Sequence, residues 1–239
     1  MKNNTSYVIM KDVWRKIMPG FKVAIDGPAG SGKSTISTRV AEHLGWHHLD
    51  TGAMYRAVTL YALKQNLDLE DESSYKFLET ATIQYRDHHI YFNEKDVTDE
   101  IRSDEVTLNV SLVSSFPYVR KQLVGLQKQA AKNGNIVMDG RDIGTVVLPD
   151  ANLKIFLTAN VLERAKRRYS ENLKKGFEEP MHQVIDDIMN RDQKDSTRKE
   201  SPLKKAPDAI EIDTTYLTIE EVVSQIIELI DKKENNHGD

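Results

Sequence analysis

Short apolar runs of strand length alternate along this chain with longer segments in which apolar residues recur every three or four positions. The runs of strand length are residues 22–26, 46–50, 135–139, 153–157 and 209–213. The helical period follows the first run at Ile36, Val40, Ala41 and Leu44, and Gly45 is placed to cap that helix. Because strands alternate with helices, we expect an α/β fold of three layers, with a central, mostly parallel five-stranded sheet covered on both faces.

Three of the predicted helices carry an apolar stripe that we expect to be buried. Residues 104–132 should form two helices interrupted at Phe116 and Pro117, with Arg120 beside the apolar stripe of the second, where a surface position stays open. The residues expected in that stripe are Val119, Leu123, Leu126 and Ala130. Those expected for the helix at about 160–174 are Val161, Leu162, Ala165 and Tyr169. Those expected for the helix from Met181 are Val184, Ile185, Ile188 and Met189.

One stretch, residues 68–104, breaks the alternation of strands and helices. It begins with clustered acidic residues and serines, and two β-type segments at 83–85 and 90–92 flank a polar turn. This pattern predicts a β-hairpin within an inserted lobe. We therefore divide the chain into an N-terminal extension at 1–20, to which no function is assigned, and one domain at 21–239. The core of that domain is expected at about 21–67, 105–160 and 195–232, with a solvated tail at 232–239.

Composition and charge narrow the possible function classes. The 239-residue chain has a formal net charge of −4, which argues against a nucleic-acid binder of the basic-patch kind. It has no cysteine, which excludes disulfides, thiol catalysis and cysteine-ligated metals. No apolar run approaches the roughly 20 residues of a membrane-spanning helix, and residues 1–20 lack the apolar core of a signal peptide, so a cytoplasmic protein is expected. Adjacent His47 and His48 would point to opposite faces of a strand and do not predict a metal site.

The stretch Gly27-Pro28-Ala29-Gly30-Ser31-Gly32-Lys33-Ser34-Thr35 matches the phosphate-binding pattern G-x-x-x-x-G-K-[ST]. It follows a predicted strand and opens a predicted helix, which is the context that this motif requires. The glycines let backbone N–H groups approach a triphosphate, the helix N-terminus adds partial positive charge, and Lys33 can reach the β- and γ-phosphates. The motif therefore predicts binding of a nucleoside triphosphate.

A magnesium ion is expected together with that triphosphate. The Ser34 hydroxyl lies where this motif binds Mg²⁺. Asp139 ends an apolar predicted strand, as the acid of a Walker B element does, and such an acid holds Mg²⁺ directly or through water. We therefore predict Ser34, acting with the bound nucleotide, and Asp139, acting through water, as the metal-site residues.

Basic side chains crowd the predicted helix at about 160–174, where Arg164, Lys166, Arg167 and Arg168 surround the apolar stripe. Two interpretations fit equally well. The first is a solvated basic face, partly offset by acidic residues on neighbouring turns. The second is a lid that lowers arginines onto a triphosphate during phosphoryl transfer.

Several motifs together resemble those of the bacterial cytidylate kinase family. They are Ile25-Asp26-Gly27-Pro28 with the phosphate-binding loop, Asp50-Thr51-Gly52-Ala53-Met54-Tyr55-Arg56, Phe116-Pro117-Tyr118-Val119-Arg120, Asp139-Gly140-Arg141-Asp142-Ile143-Gly144-Thr145 and Arg191-Asp192-Gln193-Lys194-Asp195. The resemblance, which runs from about Phe21 to Lys232, implies a P-loop NTPase fold with an acceptor-binding insert at about 68–104 and a helical lid at about 161–180. It also implies transfer of the γ-phosphoryl group of ATP to CMP or dCMP, with Mg²⁺, by a cytoplasmic monomer that binds neither nucleic acid nor membranes.

The resemblance also implies roles for residues at matching positions, in addition to ATP binding by the loop at 27–35. The residues expected to bind the acceptor nucleotide are Thr51, Arg56, Ser111, Arg120, Arg141, Asp142, Arg191, Asp195 and Arg198. The residues expected to be catalytic are Lys33, Arg141, Arg164, Arg167 and Arg191. Thr51 stands where the family often has serine, so its hydroxyl is kept, while its methyl group changes the fit around the acceptor.

The implied acceptor residues give a physical account of cytosine recognition. Asp142 can accept a hydrogen bond from the N4 amino group, and Arg120 can donate to N3 or O2. Uracil would instead present a carbonyl acceptor to Asp142 and an N–H donor to Arg120, so each side chain would face a group of its own kind. Sites that use such pairing discriminate by factors on the order of 10⁴. A kinase of the same scaffold acting on UMP, AMP or a non-nucleotide acceptor stays open, as does a nucleotide-dependent switch. A kinase for another acceptor would not need Ser111, Arg120 and Asp142 together. A nucleotide-dependent switch would leave the acceptor-side arginines without a role.

Overall fold

The computed structural model describes residues 20–86, 88–174, 176 and 178–235. The strands in this part of the chain are β1 (Lys22–Asp26), β2 (His47–Asp50), β3 (Ile83–Arg86), β4 (His89–Phe92), β5 (Lys95–Asp96), β6 (Ile136–Gly140), β7 (Leu153–Thr158) and β8 (Ile210–Asp213). The α-helices are α1 (Lys33–Leu44), α2 (Thr51–Lys64), α3 (Asp104–Val113), α4 (Pro117–Ala130), α5 (Val161–Lys174), α6 (Met181–Thr197) and α7 (Ile219–Asn235). The predicted extension at 1–20 lies outside the described residues, apart from Gly20.

The central sheet has five strands in the order β2-β6-β1-β7-β8, and every neighbouring pair is parallel. This confirms the predicted parallel five-stranded sheet. Its central strand, β1, runs directly into the predicted phosphate-binding loop. Because all five strands point the same way, their carboxyl ends lie along one edge, where open α/β sheets bind ligands.

Side chains alternate across this sheet and build two apolar cores, one on each face. Val23 and Ile25 of β1 pack with residues of α1 and α7, such as Val40 and Ile226. Ala24, between them, belongs to the core formed with α2, α3 and α4. The result is the predicted arrangement of a sheet between two helical layers.

A second, smaller sheet lies within residues 68–104, the range of the predicted inserted lobe. Its strands β3, β4 and β5 make a three-stranded antiparallel sheet, framed by 3₁₀ helices at Glu72–Glu79 and Glu100–Arg102. The predicted hairpin is confirmed, whereas β5 was not predicted because two charged residues give no strand pattern. The lobe shares the core of α2, since Tyr61 stacks on Phe92 with ring centroids 4.8 Å apart.

Helix α5, in the predicted lid at about 161–180, packs on α6 through a small core that the two helices share. It contains Ala165, Val184 and Ile188, with Tyr169 at its margin. No helix within the described residues is long and apolar enough to cross a membrane.

The structure corrects the predicted buried faces of three helices. In α5, Leu162 is 61% exposed and Arg164 only 4% exposed, because the arginine side of the helix finds backbone acceptors at the phosphate-binding loop. In α4, Leu126 is 38% exposed, whereas Arg120 and Gln127 face the interior. Ala130 of α4 and Met189 of α6 are also exposed, contrary to prediction. The predicted tail is helical up to Asn235, since α7 continues beyond Lys232.

Candidate active site

The loop between β1 and α1 has the geometry of a phosphate-binding loop. Gly27 has a φ of 154°, and a Cβ atom there would lie 2.1 Å from the carbonyl oxygen of Leu157. Gly30 has a left-handed φ of 74° and lies against the backbone of Arg164. Other residue types would therefore disturb the loop at both positions. The N-terminus of α1 follows at Lys33, so its backbone N–H groups face the loop.

Lys33 is buried at the start of α1. Its Nζ donates hydrogen bonds to the Pro28 carbonyl oxygen at 2.6 Å and to the Ser31 Oγ at 3.3 Å. Burial lowers the pKa of Lys33 well below its ordinary value, and the nearby Arg141 guanidinium lowers it further. A polyanion bound here would favour the charged lysine, so the surroundings of Lys33 suit a phosphate chain.

The predicted metal residues Ser34 and Asp139 lie in contact. The Ser34 hydroxyl donates to Oδ2 of Asp139 at 2.8 Å, which joins the end of the loop to the end of β6. Hydroxyl and carboxylate oxygens are the hard ligands that Mg²⁺ takes together with nucleotide phosphates. These two side chains therefore fit an ion that is held partly by a nucleotide.

A cleft beside the loop brings together eight of the nine residues that were predicted to bind the acceptor, all except Arg56. The residues that line it are Thr51, Gly52, Tyr55, Val110, Ser111, Ser114, Arg120, Gly140, Arg141, Asp142, Arg191, Asp195 and Arg198. They come from α2, α3, α4, the segment after β6, and the last turns of α6 with the residue that follows. At the start of α2, the Thr51 hydroxyl donates to the carbonyl oxygen of Asp139 at 2.7 Å.

One end of the cleft contains a buried ion pair between Arg120 and Asp142. The Nη2 atom of Arg120 donates to Oδ2 of Asp142, and its Nη1 donates to the Ser114 carbonyl oxygen at 3.1 Å. The guanidinium also lies 5.3 Å from the centre of the Tyr55 ring. Oδ1 of Asp142 is 3.7 Å from Nη2 of Arg198, which is longer than a hydrogen bond. This end of the cleft therefore offers both an acceptor and donors to a polar ligand.

The other end of the cleft is cationic. Arg141 donates from Nε to Oδ2 of Asp195 at 2.8 Å, and the Ser111 hydroxyl reaches Oδ1 of the same carboxylate at 3.5 Å. Burial alone would raise the pKa of Asp195, but Arg141 and Arg191 outweigh it and hold that pKa below its ordinary value. Burial and the like charge of Arg141 lower the pKa of Arg191 to about 10. Nε of Arg191 has no hydrogen-bond partner within the described residues, which suits an anion at this place.

Arg56 lies in a neighbouring pocket instead of the cleft itself. It shares that pocket with Arg102 and Arg168, and donates to the Ile101 carbonyl oxygen at 3.1 Å and to the Thr107 hydroxyl at 2.9 Å. Its pKa is lowered to about 9, first by burial and then by the charges of Arg191 and Arg168. Arg56 therefore belongs to the same field of positive charge as the cationic end of the cleft.

The predicted catalytic arginines of α5 hold this helix against the phosphate-binding loop. Arg164 donates to the carbonyl oxygens of Ala159 at 2.9 Å and Ala29 at 3.1 Å, and it pairs with Asp192 of α6. Arg167 donates to the carbonyl oxygen of Thr214 at 2.6 Å. The interpretation of this helix as a solvated basic face is therefore wrong for Arg164.

Two site residues were not predicted from the sequence. Asp26 accepts hydrogen bonds from the backbone N–H groups of Ile143 at 2.7 Å and Gly144 at 2.8 Å, and burial raises its pKa to about 6. His48 contacts Asp139 through Nε2 at 2.8 Å. Burial alone would lower the pKa of His48, but the hydrogen bond and charge of Asp139 raise it above its ordinary value. Asp26, like Asp139, is an acid at the end of an apolar strand, and that signal could have identified it.

Comparisons with known proteins identify the family of this chain. A family model described as cytidylate kinase matches residues 23–232. Two curated proteins named cytidylate kinase are similar to this chain. That of Acholeplasma laidlawii is 61% identical over 213 residues, which cover 89% of this chain and 96% of that protein. That of Halalkalibacterium halodurans is 52% identical over 215 residues, which cover 88% of this chain and 97% of that protein. A gluconokinase from Sinorhizobium meliloti 1021 shares the fold, with a TM-score of 0.50 at 12% identity over 92% of this chain and 96% of that one. The chain belongs to the cytidylate kinase family.

Proposed function

We propose that this protein transfers the γ-phosphoryl group of ATP to the phosphate of CMP or dCMP, giving ADP and CDP or dCDP. The observation that carries this proposal is the position of the buried Arg120–Asp142 pair. It lies in a cleft that also contains Arg141 and Arg191, and the charges of both arginines act on Lys33 of the phosphate-binding loop. Such a cleft suits a ligand with a polar base at one end and a phosphate at the other.

The donor nucleotide would lie along the phosphate-binding loop. The N–H groups at the start of α1 would bind its phosphates, and Lys33 would exchange its contact with the Pro28 carbonyl oxygen for phosphate oxygens. When bound, Mg²⁺ neutralises charge on the triphosphate. In our proposal, Ser34 and Asp139 would be the residues that hold the ion together with the nucleotide.

In the transfer step, an oxygen of the CMP phosphate attacks the γ-phosphorus in line with the bond to the bridging oxygen. That bond breaks, and its electron pair leaves with ADP. A general base is not needed, since the acceptor phosphate is already ionised near pH 7. Arg141, Arg191 and Arg198 would offset the repulsion between the two anions, and Arg56 would add to the same field. Each such contact is worth roughly 10²–10³ in rate when it stabilises charge in the transition state.

The base would lie at the Arg120–Asp142 end of the cleft, with Ser111 at its side. Oδ1 of Asp142 would accept a hydrogen bond from the N4 amino group of cytosine, while Arg120 would donate to N3 or O2. Asp195 and the cationic residues beyond it would bind the ribose and the acceptor phosphate. Uracil would leave buried groups without partners, which is the basis of discrimination in sites of this kind.

The predicted lid at about 161–180, which includes α5, would exclude water from the transferring group. Arg164 and Arg167 lie on α5, and both already contact residues at the donor side of the site. As catalytic residues they would exchange those backbone acceptors for phosphate oxygens when nucleotides bind. A lid that closes only over both substrates would suppress hydrolysis of ATP.

We further propose a monomeric enzyme acting in the cytoplasm, on small nucleotides and not on nucleic acid or membranes. The cytoplasm is where the nucleotides of the proposed reaction are made and used.

A coupled assay of ADP release tests the proposal. ATP and Mg²⁺ are supplied with CMP, dCMP, UMP, AMP or no acceptor in parallel. We expect fast turnover with CMP and dCMP alone. Fast turnover with another monophosphate would overturn the assignment of the base-binding residues and keep the donor half. Slow release that ignores every acceptor would overturn the kinase proposal and favour a nucleotide-dependent switch.

A further inference from the structure

The side chain of His48 has no role in the reaction as proposed, although it lies in direct contact with the metal-site acid. Its side chain is only 3% exposed. Nε2 lies 2.8 Å from Oδ1 of Asp139, and Nδ1 lies 3.3 Å from the hydroxyl of Thr38. The ring of Tyr85, from the inserted lobe, meets the imidazole edge-on with centroids 5.8 Å apart. Three elements besides β2, namely α1, β3 and β6, therefore converge on this one imidazole.

The strand register explains this convergence. Strands β2 and β6 are parallel, with His48 opposite Val137 and Asp50 opposite Asp139. Because side chains on a strand alternate between faces, His48 points to the same face of the sheet as Asp139. Helix α1 covers that face.

On α1, the residues that meet these two side chains are Ser34 and Thr38, which are one helical turn apart and share a face. Ser34 donates to Asp139, and Thr38 contacts His48. The four side chains therefore form a continuous chain of hydrogen bonds.

The chemistry of the groups fixes the direction of most of these bonds. A carboxylate can only accept, so Nε2 of His48 carries a hydrogen whether the ring is neutral or charged. In the neutral ring, Nδ1 then accepts from the Thr38 hydroxyl. Oδ2 of Asp139 accepts from Ser34 at 2.8 Å, so each carboxylate oxygen has its own donor. The carboxylate is held from both sides and keeps one orientation.

We propose that His48 is a positioning residue that fixes the carboxylate of Asp139 for the metal-bound nucleotide. This inference rests on the proposed function, in which Ser34 and Asp139 are the Mg²⁺ residues. Partners that orient a metal-site group in this way typically account for 10–100-fold in metal affinity or activity. Thr38 supports the imidazole from behind and contributes less, because it acts on Asp139 only through His48.

A histidine that merely fills the core would behave differently on substitution. Its loss would weaken the fold and would change ATP binding with and without metal by the same factor. A positioning role instead separates the two affinities, because metal-free ATP makes no use of the orientation of Asp139. The comparison of these two affinities therefore tests the inference with a readout other than activity.

The experiment measures the dissociation constant of ATP by calorimetry, with Mg²⁺ and with EDTA, for the full-length protein and four variants. We expect His48→Leu to weaken Mg–ATP binding by about 10–100-fold and to leave metal-free ATP binding within about twofold of the parent. His48→Gln keeps an N–H donor near the position of Nε2 and should lose less. Thr38→Val should lose only a few-fold. His47→Leu, at the exposed neighbouring position, is the matched control and should change neither constant.

The inference is overturned if His48→Leu binds Mg–ATP like the parent protein, or if its two constants rise by the same factor. Should His48→Leu fail to fold in a thermal unfolding scan, His48→Gln and Thr38→Val decide by the same comparison. If the parent protein binds ATP equally well with and without Mg²⁺, the metal assignment within the proposed function has failed instead. The two failures are thus distinguished by the parent protein alone.

Discussion

Replacing Asp142 by asparagine tests the proposed recognition of cytosine most directly. The side chain keeps its size and one oxygen, so Arg120 keeps an acceptor. The second oxygen becomes an NH₂ group, which donates and cannot accept. Oδ1 of Asp142 is the atom that accepts from the N4 amino group in our proposal. It is available because its neighbour, Nη2 of Arg198, is 3.7 Å away, which is too far for a hydrogen bond. Asp142→Asn therefore turns the acceptor for cytosine into a donor that suits O4 of uracil.

The size of the effect follows from the burial of these groups. A hydrogen bond to a charged group is worth about 1.5–3 kcal/mol. We therefore expect kcat/KM for CMP to fall by about 10–150-fold, with no matching fall for UMP. The variant also leaves two buried arginines without a full counter-charge. Breaking a buried ion pair costs about 3–5 kcal/mol, and because asparagine keeps one acceptor we expect the lower end, a fall in Tm of about 6–12 °C.

The assay compares kcat/KM for CMP and UMP on the same preparation. Their ratio does not depend on the fraction of folded enzyme, so the loss of stability does not disturb it. Asp195→Asn is the matched control, because Asp195 is also a buried carboxylate paired with an arginine of the cleft. It should lower the rate for CMP and UMP alike, since it faces the ribose and phosphate in our proposal.

The reasoning is refuted if Asp142→Asn keeps the parental CMP to UMP ratio within about twofold. It is equally refuted if Asp195→Asn changes that ratio as much as Asp142→Asn does. The first result would remove Asp142 from base recognition, and the second would show that any lost charge in the cleft alters selectivity.

Three further predictions concern other parts of the site. Lys33→Met should lower kcat by about 10²–10³, because it removes a contact that stabilises the transferring group. It should also raise Tm, because it removes a buried cation whose pKa is lowered by burial. An unchanged rate in the ADP-release assay would contradict this prediction. Arg164→Ala should raise ATP hydrolysis without acceptor relative to CMP phosphorylation, since it frees α5 from Ala29, and an unchanged ratio would argue against a lid. Burial raises the pKa of the Asp26 carboxyl group from 3.8 to about 6, so the folded state binds its proton more tightly than the unfolded state does. The free energy of unfolding should therefore rise by up to about 3 kcal/mol as the pH falls from 6 to 4. Urea unfolding across that window should show this contribution in the parent and not in Asp26→Asn, and equal slopes would contradict it.

The sheet could be predicted because it follows from local patterns, whereas most residues of the cleft were implied only by the family resemblance. Apolar runs identify the strands, and polar residues directly after them must meet at one edge of a parallel sheet. That is why Thr51 and Asp139 lie together, although they are far apart in sequence. The phosphate-binding loop was predictable for the same reason, since its glycines are required by the local backbone.

The buried charges were not predictable from local patterns. Arg120 and Arg164 lie beside apolar stripes, and a helical pattern alone places such residues on the surface. They are buried because each faces polar groups of distant segments, Asp142 in one case and the carbonyl oxygen of Ala29 in the other. The contact of His48 with Asp139 likewise requires the strand order, which the sequence pattern does not contain. Tertiary partners, not periodicity, decide where these side chains lie.

The central position of β1 has a consequence for the synthesis of the chain. Both neighbours of β1 in the sheet, β6 and β7, begin roughly 110 or more residues after β1 ends. At about 5–20 residues per second, β1 leaves the ribosome several seconds before either partner exists. During that interval, the apolar segment Val23-Ala24-Ile25 lacks the strands on which it will pack. The nascent chain should thus depend on chaperones or on slow translation at this stage more than a protein whose first strands form a hairpin.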